Sequence, residues 1–246
     1  MRYLPLALTV LLLTGCAAPA VEKPVAETSA LELVLVDGNP EQVEAVQSVA
    51  DRLDAELELV TTIDDAMTAH PDVIIGIGDE QLSDFDFTAA SNLDQQFVLI
   101  DARPLEPTAN LTSAVFRDYE GIYLAGVAAA GSPATVTAPD DNPLVNATVQ
   151  RFIDGVHSID EGQSVDIAYG SPYDFGDCAV FKRVDVALDA ALESVRTAST
   201  GTVTGNGLSD GAVTVSCADE PAVATAAAAI VSGDLEIPDP LFYLGG

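Results

Sequence analysis

Three cysteines, two histidines and a few close acidic pairs are the side chains of this 246-residue chain whose chemistry could go beyond packing. His70 directly precedes Pro71 and His157 falls late in an expected helix, so neither reads as a general base. No His or Cys spacing resembles a zinc site. Asp84-Phe85-Asp86 and Asp140-Asp141-Asn142 offer oxygens to calcium, but neither extends into a twelve-residue EF-hand loop. With 39 acidic side chains, close pairs arise by chance, and Asp140-Asp141-Asn142-Pro143 reads better as a turn opening a helix. Gly76-Ile77-Gly78 follows an expected strand, yet Gln81 stands where a dinucleotide fingerprint needs its third glycine. The residues point away from catalysis and imply no metal and no cofactor.

Cys16 carries chemistry of another kind. Arg2 precedes a largely apolar run from Leu4 to Leu13, which spans about 15 Å as a helix, half of a bilayer core. That length suits a secretory h-region and not a membrane span; a buried N-terminal helix is the plainer alternative. Leu13-Thr14-Gly15-Cys16 resembles the bacterial lipobox, in which the cysteine is lipidated and becomes the first mature residue. Each buried acyl methylene contributes about 0.8 kcal/mol, so an acylated Cys16 would hold the protein at the extracytoplasmic face of the cell membrane. Residues 1–15 are then a leader, and 16–30, rich in Ala, Pro, Glu, Thr and Ser, a lipidated cysteine with a flexible tether. Only Cys178 and Cys217 remain for the folded part, in a compartment that permits disulfides. A bridge between them and two separate buried thiols are both open.

The charge excludes partners. Against 39 acidic side chains stand 9 basic ones, a net charge of −30. Nucleic acid requires Lys and Arg to replace the counterions on its phosphates, and anionic headgroups would be repelled by the same surface. A hydrophobic fraction of 48% excludes a wholly disordered acidic chain. Such acidity also resembles salt-adapted surfaces, an expectation that loss of stability at low salt would bear out.

Strand-like and helix-like segments alternate from Leu31 onward. Leu31–Val36, Leu57–Val60, Asp72–Gly78 and Phe97–Asp101 read as strands. Pro40 opens a helix capped by Asn39, and Thr62 to Asp65 opens a short one that ends at His70. Beyond a joint near Leu111 to Phe116, helices are expected over 117–130, 144–158, 177–196 and 221–231. Strands are expected over 134–138, 165–170 and 212–216. Continuously apolar strands separated by helices indicate parallel sheets covered on both faces. The fold class is therefore α/β, two Rossmann-like lobes with parallel sheets around a cleft, the second lobe reduced. The lobes divide as 31–116 and 117–246, the latter with a hinge return, and ligands bind in such clefts at the carboxyl ends of strands.

Several stretches carry a resemblance when taken together. They are Asp72-Val73-Ile74-Ile75-Gly76-Ile77-Gly78, Phe97-Val98-Leu99-Ile100-Asp101 and the run from Phe116 through Tyr119-Glu120-Gly121-Ile122-Tyr123-Leu124-Ala125-Gly126. Phe152-Ile153-Asp154-Gly155 and Tyr169-Gly170-Ser171-Pro172-Tyr173-Asp174 follow. Their order resembles the basic membrane protein family, nucleoside-binding lipoproteins of bacterial ABC importers, most specifically in the F-x-x-x-E-x-x-Y-L-A-G segment from Phe116 to Gly126. The resemblance implies a type I periplasmic-binding-protein fold, a small polar ligand such as a nucleoside, and a membrane permease as partner. It also implies a cleft lined by Asp37, Asn39, Gly78, Tyr173 and Asp174, with Tyr173 stacking on a base. A surface turn nucleated by Ser171-Pro172 explains Tyr173 and Asp174 equally well.

The chain departs from the family in three places. Asp37-Gly38-Asn39-Pro40 replaces the Asp-x-Ser-Phe-Asn signature. Asp219, in Val215-Ser216-Cys217-Ala218-Asp219, stands where the family carries a lysine, which reverses the local field. The stretch between Val195 and Ala212 is too short for the usual strand-helix-strand insertion. These departures leave a second expectation open, a degenerate receptor serving as an accessory envelope lipoprotein without a small ligand.

Overall fold

The computed structural model describes residues 30–240; the expected leader and lipidated Cys16 lie outside them. Six strands form one sheet in the order β2-β1-β3-β4-β5-β9. They are β1 (Glu32–Val36), β2 (Glu56–Val60), β3 (Val73–Ile77), β4 (Gln96–Ile100), β5 (Leu111–Phe116) and β9 (Val203–Asn206), and every pairing is parallel. Successive side chains of a strand face opposite ways, so the apolar runs supply two cores. Leu33, Leu35, Val73, Ile75, Val98 and Ile100 meet α1 (Pro40–Leu53) and α6 (Val184–Arg196) on one face. Val34, Val36, Ile74, Phe97 and Leu99 meet α2 (Ile63–Ala69) and α3 (Leu82–Ser91) on the other.

The helix starts follow from side-chain chemistry. Asn39 caps α1 with a reciprocal box, its Oδ1 accepting from the Gln42 amide at 3.0 Å while Gln42 Oε1 accepts from the Asn39 amide at 2.9 Å. Pro40 then occupies the first turn, where a missing N–H is harmless. Thr62 caps α2, and Asn142 with Pro143 opens α5 (Pro143–Ile159), its side chain accepting from the Val145 amide without the reciprocal bond of α1.

A second group of elements packs around its own core. It comprises α4 (Asp118–Ala129), α5, α7 (Pro221–Ser232), the parallel pair β6 (Ala134–Ala138) and β7 (Val165–Tyr169), and the antiparallel pair β8 (Val180–Lys182) and β10 (Val213–Val215). Tyr123, Leu124, Phe152, Val156, Phe175 and Val223 fill that core. Cys178 and Cys217 form a disulfide with their Cα atoms 5.1 Å apart, joining the approach to β8 to the turn after β10.

Leu111–Phe116 is β5, buried at every position between β4 and β9, and the chain leaves the first sheet just after it. One expectation is corrected: residues 177–196 are not one helix. The disulfide at Cys178 and the pairing of Val180, Phe181 and Lys182 with β10 hold that segment extended until Arg183, and tertiary pairing overrides the helical spacing of Phe181 and Val184. Beyond residue 116 the chain returns to the first sheet, where α6 covers one face and β9 extends the edge beside β5.

Candidate functional site

The chain crosses between the two groups of elements three times, after β5, after β8 and around β9, and the crossings are tied to one another. The Arg117 amide donates to the Asn206 carbonyl at 2.7 Å. Glu120, 5% exposed, accepts from the Leu208 amide at 2.9 Å and pairs with Arg117 Nε at 3.3 Å. The Arg183 amide donates to the Ala212 carbonyl at 2.7 Å. Glu120, the acid of the F-x-x-x-E-x-x-Y-L-A-G segment, is thus a fastener of the crossings.

Asp101 follows β4 and Asp118 opens α4, and Lys182 ends β8 between them. Lys182 Nζ lies 3.0 Å from both Asp101 carboxylate oxygens and 3.1 Å from Asp118 Oδ2, and 5.6 Å from the centroid of the Phe116 ring. The three charged side chains are 36%, 34% and 37% exposed, so solvent reaches the cluster without flooding it. Burial, helped by the nearby Asp118 and Asp79 charges, holds the Asp101 carboxyl above the ordinary range against the lowering pull of Lys182. Burial works against the Lys182 charge, but the two carboxylates outweigh it and hold the ammonium above its usual value.

Lys182 belongs to the walls of two cavities. One, of about 380 Å³, lies against Asp118, Thr148, Tyr173 and Phe175. The other, of about 520 Å³, lies against Asn39, Asp101, Phe116 and Phe181. Behind the first runs an aromatic stack. The Tyr173 ring is 5.7 Å from Phe175 at 14°, and Phe175 is 5.8 Å from Phe152 at 29°. Phe152 is fully buried and Tyr173 is 39% exposed, so the stack leads from the core to an open face. Burial raises the Tyr173 phenol above its ordinary value.

The five residues expected to line one cleft are distributed. Tyr173 and Asp174 share the first cavity, although Asp174 Oδ1 already accepts from the Gly176 amide at 2.9 Å. Asn39 reaches the second cavity with its oxygen committed to the α1 cap. Gly78, at φ +105, closes the turn after β3 through a 2.8 Å bond to the Ile100 carbonyl and is in neither wall. Asp37 faces elsewhere, a groove of about 800 Å³ beside Glu58, Thr61 and Asp65 at the open edge of the sheet. That groove is larger, but it holds neither an aromatic face nor a cation. Asp219 is exposed in the turn before α7 and lines neither cavity.

Sequence reasoning missed Asp101, Asp118, Thr148 and Lys182. Asp101 ended a recognised strand and Asp118 opened a recognised helix, positions from which ligands are met in such folds. Lys182 gave no signal, because its partner Asp101 is 81 residues away. Among the described residues, no group of three or more His, Cys, Asp or Glu is arranged to hold a metal ion.

A covered parallel sheet facing a second α/β unit, with carboxylates and an aromatic stack where the strands end, defines a two-lobed binding protein. Residues 25–176 match the Bmp family, ABC transporter substrate-binding protein PnrA-like, and the chain belongs to this family. It is 30% identical over 127 residues to the ABC transporter nucleoside-binding protein BmpA of Lactococcus lactis subsp. cremoris, covering 50% of this chain. The match covers 35% of that relative's length. Among solved structures it is similar to an ABC transporter solute-binding protein from Aeropyrum pernix K1, with a TM-score of 0.64 and 17% identity over 84% of this chain and 92% of that one. A transcriptional activator of the comK gene from Bacillus halodurans gives 0.68 and 15% over 85% of this chain and all of that one. The solute-binding protein from Conexibacter woesei gives 0.64 and 13% over 86% and 99%. At these identities the structural likeness speaks for the fold, which is the two-lobed α/β fold expected from the sequence.

Proposed function

We propose that this chain is the extracytoplasmic receptor of an ABC importer, binding a nucleoside-like or similar small polar molecule and handing it to a membrane permease. The observation that carries the reading is the cavity between Tyr173 and Lys182. An aromatic face backed by Phe175 and Phe152 suits a planar base, and Thr148 and Asp118 beside it supply a donor and acceptors for hydroxyls and ring nitrogens. Its 380 Å³ falls within the range of small-molecule sites. The relative from Lactococcus lactis, a nucleoside-binding protein by name, supports the same ligand class. Binding without chemistry accords with the family, and no helix among the described residues is long and apolar enough to cross a membrane.

The lipobox at Gly15-Cys16 supports attachment through Cys16. Mass analysis of the membrane fraction should show an acylated Cys16, and C16A should release the protein from it. For the ligand, calorimetry against a panel of purine and pyrimidine nucleosides is the direct experiment. Y173A should weaken binding by roughly tenfold through loss of stacking. A folded wild-type protein that binds none of the panel would sink the nucleoside reading and favour an accessory lipoprotein without a small ligand.

A further inference from the structure

Lys182 is the only lysine among the described residues, and its surroundings are unlike those of a surface lysine. Its ammonium is held by both oxygens of Asp101 from the turn after β4, by Asp118 from the first turn of α4, and by the Phe116 ring from the end of β5. Two carboxylates and an aromatic face around one ammonium are the parts of an amine-recognition cage. Here the amine is part of the chain. A tethered group competes at an effective concentration in the millimolar range or above, so a free amine does not readily displace it.

Anions meet a different obstacle at the same place. Asp79 adds to the negative field at Asp101, and Asp140 adds to it at Tyr173. Arg183, the other cation in the second cavity's wall, is committed to Asp185 through bonds of 2.9 and 2.7 Å. With Lys182 shared between two carboxylates, no unspent positive charge lines either cavity.

We propose that Lys182 is the specificity-determining residue of the cleft: it fills the cage formed by Asp101, Asp118 and Phe116, and so restricts the adjoining cavities to uncharged, hydrogen-bonding ligands. Amines find their place taken, and anions find no free cation. The ligand consequence rests on the receptor reading above; the cage does not.

Two measurements separate the parts. In the first, the melting temperatures of wild type, K182A and K182A/D101N are followed against ethylammonium chloride, with sodium chloride at equal ionic strength as control. K182A should rise by about 2–4 °C above its salt control, and neither of the others should. An equal response of K182A and wild type, or none in K182A, overturns the cage. K182T, whose branched side chain suits a strand, carries the same titration if K182A does not fold. In the second, calorimetry on wild type compares adenosine with adenosine 5′-monophosphate. The phosphate should bind at least about tenfold more weakly, and parity overturns the exclusion of anions. If neither compound binds while ethylammonium still rescues K182A, the cage stands and the nucleoside reading falls.

Discussion

Gly126 of α4 and Gly155 of α5 face each other across the crossing of the two helices. A Cβ on Gly126 would fall on the Phe152 carbonyl oxygen, and one on Gly155 would fall on the Tyr123 carbonyl oxygen. The helices touch backbone to backbone, which only glycine allows here. Gly126 ends the F-x-x-x-E-x-x-Y-L-A-G segment, so its last residue sets a packing distance and not a ligand contact. Alanine adds helix propensity of about 1 kcal/mol at either position, but overpacking costs about 1–3 kcal/mol and forces the helices apart. Urea denaturation of G126A and G155A should show a net loss of stability, and a gain would mean that the crossing yields.

Glu120 fastens the first crossing to the third. E120Q keeps the shape but gives up the charge that accepts from the Leu208 amide and faces Arg117. We expect a loss of about 2–3 kcal/mol, with faster hydrogen exchange at Leu208 than at β1 or β3. Uniform acceleration across both groups of elements would instead place Glu120 in global stability alone.

The disulfide holds β8 against the turn after β10, with a sequence separation of 39 residues between its cysteines. Reduction, or C178S/C217S, should lower stability by about 2–4 kcal/mol. Because Cys178 also lies in the wall of the Tyr173 cavity, ligand affinity should fall under the same treatment. Melting and calorimetry with and without reductant measure both effects.

Tyr119 carries a pH signature. Burial, followed by Asp239 and Glu120, pushes its phenol from 10.0 up to about 12. A raised value means that the folded state holds the proton more tightly. Its stabilisation is complete below the ordinary phenol range and is lost as the pH climbs from 10 towards 12. Two pH units correspond to about 2–3 kcal/mol. The stability of wild type should therefore fall more steeply than that of Y119F between pH 9.5 and 11.5 in urea titrations, and parallel curves would contradict it.

What the sequence revealed and what it hid divide along the range of the forces. Asn39, Thr62 and Asn142 cap helices through bonds three residues long, so those starts were legible. The unbroken apolar runs of β1, β3 and β4 were legible because both faces of the sheet are covered. Residues 177–196 misled because Phe181 and Val184 keep helical spacing, while the register partner that holds Phe181 in a strand is Thr214, far downstream in β10. β5 was not read as a strand, because it is short and only its neighbour β9 reveals it as interior. The cluster around Lys182 joins three distant segments, and no spacing rule reaches across them.

The first sheet is not contiguous along the chain, and this bears on the order of events in folding. Leu188 and Leu192 of α6 complete the core that Leu33, Leu35 and Val49 begin. A nascent chain that stops short of α6 has strands enough for a sheet but one face of it bare, and β5 has no outer neighbour until β9 is made. The native core of the first sheet is therefore complete only once residues as far along as Asn206 are in place. High contact order of this kind slows folding, and a slow folder remains threadable for longer.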